Sequence, residues 1–165
     1  MSIAVFLKNN LKNIPPSIGK WINMIPYSRR PGIRKIYSKR KVNIKEVNNF
    51  TIIEKQNYVL RKTISLLEYA YENIKFYKEF YDKNEFHPSQ VKYFQDIQKI
   101  PILTKAILNK YILEERSSPR AGRYIVNTGG SSGTPFGFYI EPSAMGHEWA
   151  HMHTIWEKLG YKYTD

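Results

Sequence analysis

The chain has 165 residues and a mass of 19.5 kDa, the size of one ordinary domain that can bury about two thirds of its unfolded surface. An apolar fraction of 42% with 15% aromatics excludes a charge-dominated disordered chain, and the absence of cysteine excludes disulfides, thiolate metal sites and a cysteine nucleophile. The net charge of +12 is concentrated at one end: residues 1–49 hold 11 basic side chains against the single acid Glu46, and the rest hold 15 against 13.

The opening run Ile3-Ala4-Val5-Phe6-Leu7 is cut off by Lys8 and Asn9, too short for a signal core or a bilayer span, which makes the cytoplasm the expected compartment. Residues 1–45 read as a basic arm broken by Pro15, Pro16, Pro26 and Pro31, a peripheral layer with Trp21, Ile22 and Met24 as anchors. Thr51 and Glu54 form a capping-box pair, and Val59, Leu60, Ile64, Leu67, Tyr71 and Ile74 recur at three- and four-residue steps. This predicts one long amphipathic helix reaching the aromatic cluster Phe76, Tyr77, Phe80 and Tyr81. Pro88 and Ser89 restart the chain into a short helical stretch beside an exposed His87, and Thr104 caps a helix over 105–112.

Arg116 to Gly122 is a predicted loop, followed by two short strands, Arg123 to Val126 and Phe136 to Ile140, both β-branched and aromatic. Beyond Pro142 a helix places Met145, Trp149, Met152, Trp156 and Leu159 on one core-facing stripe, with Gly160 to close it. Between the strands lies Asn127-Thr128-Gly129-Gly130-Ser131-Ser132-Gly133-Thr134-Pro135. Glycine is the usual turn residue, so a plain hairpin turn is one reading. The stretch nevertheless exceeds what a hairpin needs, and its glycines and hydroxyls suit an anion, because bare backbone amides and side-chain O–H groups can converge on phosphate oxygens. No Lys follows Gly133, so it is not the common P-loop.

Thr128 to Pro135 resembles the phosphate-binding motif of adenylate-forming enzymes, a Ser/Thr/Gly-rich loop ending in Gly-x-Pro. Ile100-Pro101-Ile102-Leu103-Thr104-Lys105 resembles the Leu-Pro-x-x-Thr-Lys segment of the phenylacetate-coenzyme A ligase branch. Glu148-Trp149, Trp156 and Gly160-Tyr161-Lys162 resemble the pattern that follows in its capsular-polysaccharide-biosynthesis members. The three motifs fall in the family's order over roughly residues 70–165.

The resemblance implies an α/β fold: residues 46–165 as the helix-rich start of the large domain of an adenylate-forming enzyme, truncated before most of its sheet, behind the basic arm of 1–45. It implies a two-step reaction in which a carboxylate attacks the α-phosphate of ATP, pyrophosphate leaves, and the acyl group passes to a thiol such as coenzyme A. Thr128, Gly130, Ser131, Ser132, Gly133 and Thr134 are the expected phosphate contacts, with Mg2+ sharing the charge. Gly129 stands where the family often has Ser, and Thr134 where Lys is frequent. The adenine pocket, magnesium-binding carboxylate, acyl pocket and catalytic lysine belong to later parts of the family's chain, so catalytic residues are expected beyond residue 165 and these residues alone are expected not to turn over.

Two other chemistries are legible. His147-Glu148-Trp149-Ala150-His151 matches H-E-x-x-H, the pattern of a zinc hydrolase, with His153, Glu157 and Asp165 as the remaining candidates for a third ligand. Both histidines lie opposite the Trp149, Met152 and Trp156 stripe, which also suits a plain solvated face. Residues 8–45, with Arg29, Arg30, Arg34, Lys35, Lys39, Arg40 and Lys41 interleaved with Tyr27 and Tyr37, could instead grip nucleic acid or anionic lipid as a basic polyanion-binding module without catalysis. Against it, no recognition-helix pattern is present, and Pro26 and Pro31 interrupt the helix a membrane anchor would need.

Overall fold

The computed structural model describes residues 15–30, 33–119, 122–128 and 136–161. It is mostly helical, with one small two-stranded antiparallel sheet. In chain order the elements are α1 (Pro16–Asn23), α2 (Arg34–Asn48), α3 (Ile52–Asn73), α4 (Lys75–Lys83), α5 (Lys105–Leu108), β1 (Tyr124–Asn127), β2 (Gly137–Ile140) and α6 (Ala144–Glu157). Short 3₁₀ turns lie at Tyr27–Arg29, Pro88–Gln90 and Phe94–Lys99. Among the described residues no helix is long and apolar enough to cross a membrane. The chain divides into two compact units, the first containing α1, α2 and α6, the second α3 to α5 and nearly all of the β1–β2 hairpin.

In the first unit α2 packs along α6. The contact face of α6 is Gly146, Ala150 and His153, spaced four and three residues apart, and all three are buried. The expected stripe is kept in part: Trp149 packs against this core and Met145, Met152 and Trp156 are half-buried, while Leu159 lies past the helix end and is 82% exposed. Small residues make the close approach possible, because a Cβ at Gly146 would lie 3.0 Å from Ile36 Cγ2 and 3.2 Å from the Ile33 carbonyl oxygen. The chain breaks between α1 and α2 around Pro26 as expected, but α2 is not a peripheral layer, since its helix 34–48 buries Tyr37 and Ile44. Trp21 and Met24, expected as anchors, are exposed instead.

Past the end of α6 the chain turns as expected at Gly160, whose φ of +87° suits a residue without Cβ. The Gly160 N–H donates to Glu157 O and the Tyr161 N–H to Trp156 O, so two carbonyls at the helix end are satisfied while the Tyr161 ring meets Trp156 edge-on.

In the second unit α3 starts at the expected capping box, with Thr51 Oγ1 accepting from Glu54 N–H and the Glu54 carboxylate accepting from Thr51 N–H. Leu60, Ile64, Leu67 and Tyr71 pack with Tyr81, Phe86, Val91, Ile97 and Ile100, whereas Val59 falls outside the stripe and is exposed. The single long helix is a second correction. Ile74 is extended (φ −129°, ψ 108°), and α4 begins anew at Lys75. The cause is a hydrogen bond outside the helix: Phe76 N–H donates to Glu115 O at 3.2 Å, and the Phe76 side chain becomes fully buried.

The helix after Thr104 keeps its cap, with Thr104 Oγ1 accepting from Ile107 N–H, but α5 ends at Leu108 rather than 112. The backbone tightens to Lys110 N–H→Ile107 O and Tyr111 N–H→Leu108 O, and Tyr111 meets Phe76 edge-on with centroids 4.7 Å apart. His87 is exposed as expected and accepts at Nδ1 from Ser89 N–H, capping the turn at Pro88.

Gly146→Ala adds a methyl against the Ile36 side chain and the Ile33 carbonyl, neither able to retreat without moving α2. After allowing for the better helix propensity of alanine, the variant is expected to lose about 1–2 kcal/mol of stability in denaturant melts.

Candidate functional site

The hairpin forms because Tyr124-Ile125-Val126-Asn127 and Gly137-Phe138-Tyr139-Ile140 are short β-formers around a glycine-rich connection. Its neck is closed by Thr128 and Phe136. Thr128 N–H donates to Phe136 O at 3.0 Å, and Phe136 N–H donates to Thr128 Oγ1 at 3.2 Å. Thr128 is therefore the one expected phosphate contact whose position is known. Gly130, Ser131, Ser132, Gly133 and Thr134, with Gly129 and Pro135, lie outside the described residues.

The hairpin is held on the helices by the segment after α5, expected to be a plain loop. On the sheet side the Tyr139 hydroxyl donates to Glu114 Oε1 at 2.7 Å, and Arg116 Nη2 donates to Gly137 O at 2.9 Å. The Arg116 guanidinium lies 4.6 Å above the Phe136 ring. On the helix side the Glu115 carbonyl holds the Phe76 N–H, and Ser118 Oγ is hydrogen-bonded to the Tyr69 hydroxyl. Four residues, facing alternate ways, thus tie α3 and α4 to β2. Arg116 sets a fixed positive charge beside Phe136, the residue on which the neck closes, and its Nε is buried without a hydrogen-bond partner. Burial holds the nearby Tyr77 phenol above its usual range, and the Arg116 charge acts in the opposite sense.

The His-Glu-Trp-Ala-His match lies on α6. His147, Glu148 and His151 are exposed, and His151 Nε2 accepts from Arg40 Nε at 2.9 Å. Burial lowers the His151 pKa, with Arg40 and His147 adding to the effect. Of the candidate third ligands, His153 is buried on the opposite face, Glu157 is paired with Lys41, and Asp165 lies outside the described residues. Among the described residues no group of three or more His, Cys, Asp or Glu side chains could hold a metal ion.

His153 is the buried polar residue that sequence reasoning placed only among ligand candidates. Its Nδ1 is hydrogen-bonded to the Tyr37 hydroxyl at 2.9 Å, and Tyr27, Trp149, Trp156 and Tyr161 wall its ring. The aromatic residues of the third sequence motif therefore build the surroundings of His153. Burial pushes its pKa below 6.5; Glu157 pulls it back up, while Lys41 and Arg30 push it further down. The signal that could have found this contact is the spacing of Ile33, Tyr37, Ile44 and Val47 along α2, obscured by the lysines and arginines between them.

Compared with known proteins, no family model, no curated protein and no solved structure matches the chain.

Two outcomes follow from this geometry. Arg116→Ala leaves the Gly137 carbonyl without its donor and removes the cation from Phe136, for an expected loss of about 1–3 kcal/mol in denaturant melts. His153 binds its proton less readily in the folded chain than in the unfolded one. Its contribution is intact above about pH 6.5 and declines as pH falls below that value toward the depressed folded pKa. Melting temperature should fall on acidification through this window, and His153→Gln, which cannot titrate, should flatten the slope, leaving the part due to His151.

Proposed function

We propose that this chain carries the ATP-phosphate-gripping segment of an adenylate-forming, carboxylate-activating ligase of the phenylacetate-coenzyme A ligase type, at the start of its large domain. The observation that carries the reading is the mounting of the Gly/Ser/Thr stretch. It is pinched at a neck between two paired strands, with Thr128 on one side and the Arg116-backed Phe136 on the other. A stretch held at its base and rich in glycine and hydroxyls suits the β- and γ-phosphates of a nucleotide, because bare amides and O–H groups can converge on phosphate oxygens.

In this role Thr128, Gly130, Ser131, Ser132, Gly133 and Thr134 bind the phosphates and stabilise the charge that builds on departing pyrophosphate. The acyl-adenylate then passes to a thiol, with coenzyme A as the expected acceptor, in a cytoplasmic enzyme of the branch that serves capsule or surface-polysaccharide synthesis. The described residues offer no ligand set for the magnesium ion that the resemblance implies, so no residue is assigned to it.

Equilibrium binding of ATP to the chain tests the assignment. Replacing both Ser131 and Ser132 by alanine removes two hydroxyl donors to charged oxygens and should weaken ATP at least about tenfold, with the melting temperature unchanged. Equal affinity of the variant and the parent chain would remove the loop's role.

A further inference from the structure

We infer that the first unit carries a peripheral docking face for an anionic lipid surface, built from the exposed apolar side of α1 and the outward basic side of α2. This is independent of the ligase reading and uses none of its residues.

Ile18 and Trp21 lie one turn apart on α1, and Met24 and Ile25 follow its end; they are 50%, 70%, 75% and 40% exposed, respectively. The group is not a loose tail. Arg30 Nε donates to Ile25 O at 2.9 Å, and the same guanidinium lies 3.8 Å over the Tyr27 ring, which packs against Trp149 and His153 in the core of the unit. The end of α1 is thereby fixed to the framework that carries α2.

Charge complementarity identifies the occupant. Residues 15–45 contain no aspartate or glutamate. Tyr37 and Ile44 turn toward α6, and Arg40 and Lys41 are engaged there by His151 and Glu157, which leaves Arg34, Lys35, Lys39 and Lys45 exposed on the outward side of α2. Lys20 and Arg29 are exposed beside the apolar group. A nucleic acid could use these cations, and a base could stack on Trp21, but Ile18, Met24 and Ile25 offer such a partner nothing. A bilayer interface uses all of them: tryptophan at headgroup depth, aliphatic side chains just below it, and lysine and arginine on anionic headgroups. The two halves act together, since interfacial binding scales with buried apolar area plus attraction to anionic headgroups.

Cosedimentation with vesicles tests the proposal. The chain should bind vesicles of phosphatidylglycerol and phosphatidylcholine and not those of phosphatidylcholine alone, and rising salt should release it. Ile18→Ser with Trp21→Ser, and separately Lys35→Glu with Lys39→Glu, should each lower partitioning about tenfold at unchanged melting temperature. These positions are exposed, so both variants keep the core that folds the unit. No binding to anionic vesicles, or equal binding to neutral ones, would overturn the proposal. So would undiminished vesicle binding by the Ile18/Trp21 variant, or a preference for single-stranded or duplex nucleic acid that this variant retains; either would mark the face as a generic polyanion grip.

Discussion

The second unit depends on a short clasp. Between Glu114 and Ser118 successive groups face alternate ways, the carboxylate of Glu114 and the guanidinium of Arg116 toward β2, the carbonyl of Glu115 and the hydroxyl of Ser118 toward α4 and α3. A two-stranded hairpin has little stability of its own in water. Here its register is fixed from outside, because Arg116 reads the Gly137 carbonyl and stacks on Phe136, and a one-residue slip would deny it both. The same clasp decides the helices behind it. The Glu115 carbonyl takes the Phe76 N–H, and that bond divides α3 from α4.

The first unit depends on closeness. Gly146 and Ala150 let α2 approach α6, and the interface thus formed has room for one buried polar pair, Tyr37 with His153, inside a shell of aromatic rings. Burial disfavours the charged imidazole, so the packing that seats His153 also lowers its affinity for a proton. At the edge of the interface Arg40 meets His151 and Lys41 meets Glu157, so two of the cations of α2 find partners on α6.

What the sequence made legible was local. Thr51 with Glu54, Thr104 and Gly160 announce helix ends because each acts on backbone groups within a few residues, and the Leu60, Ile64, Leu67 and Tyr71 stripe repeats within one helix. What it concealed was decided at long range. The break at Ile74 is set by a carbonyl at residue 115, and the early end of α5 by the place of Tyr111 against Phe76. α2 read as part of a peripheral layer because Arg40 and Lys41 sit on its packed side, where their partners are contributed by α6, 111 and 116 residues away. Of the loop, the neck is what the described residues show, and the Arg116 contact beside it carried no sequence signal, since an arginine in a polar stretch reads as solvent-facing.

Thr128 divides its single hydroxyl between two tasks. The lone pair accepts the Phe136 amide and keeps the strands joined, while the proton is not required for that closure. A hydroxyl whose oxygen is taken up by an amide keeps its own hydrogen to donate, so the Thr128 side chain closes the neck and still carries a donor. Serine could perform both duties; valine, equal in shape, could perform neither.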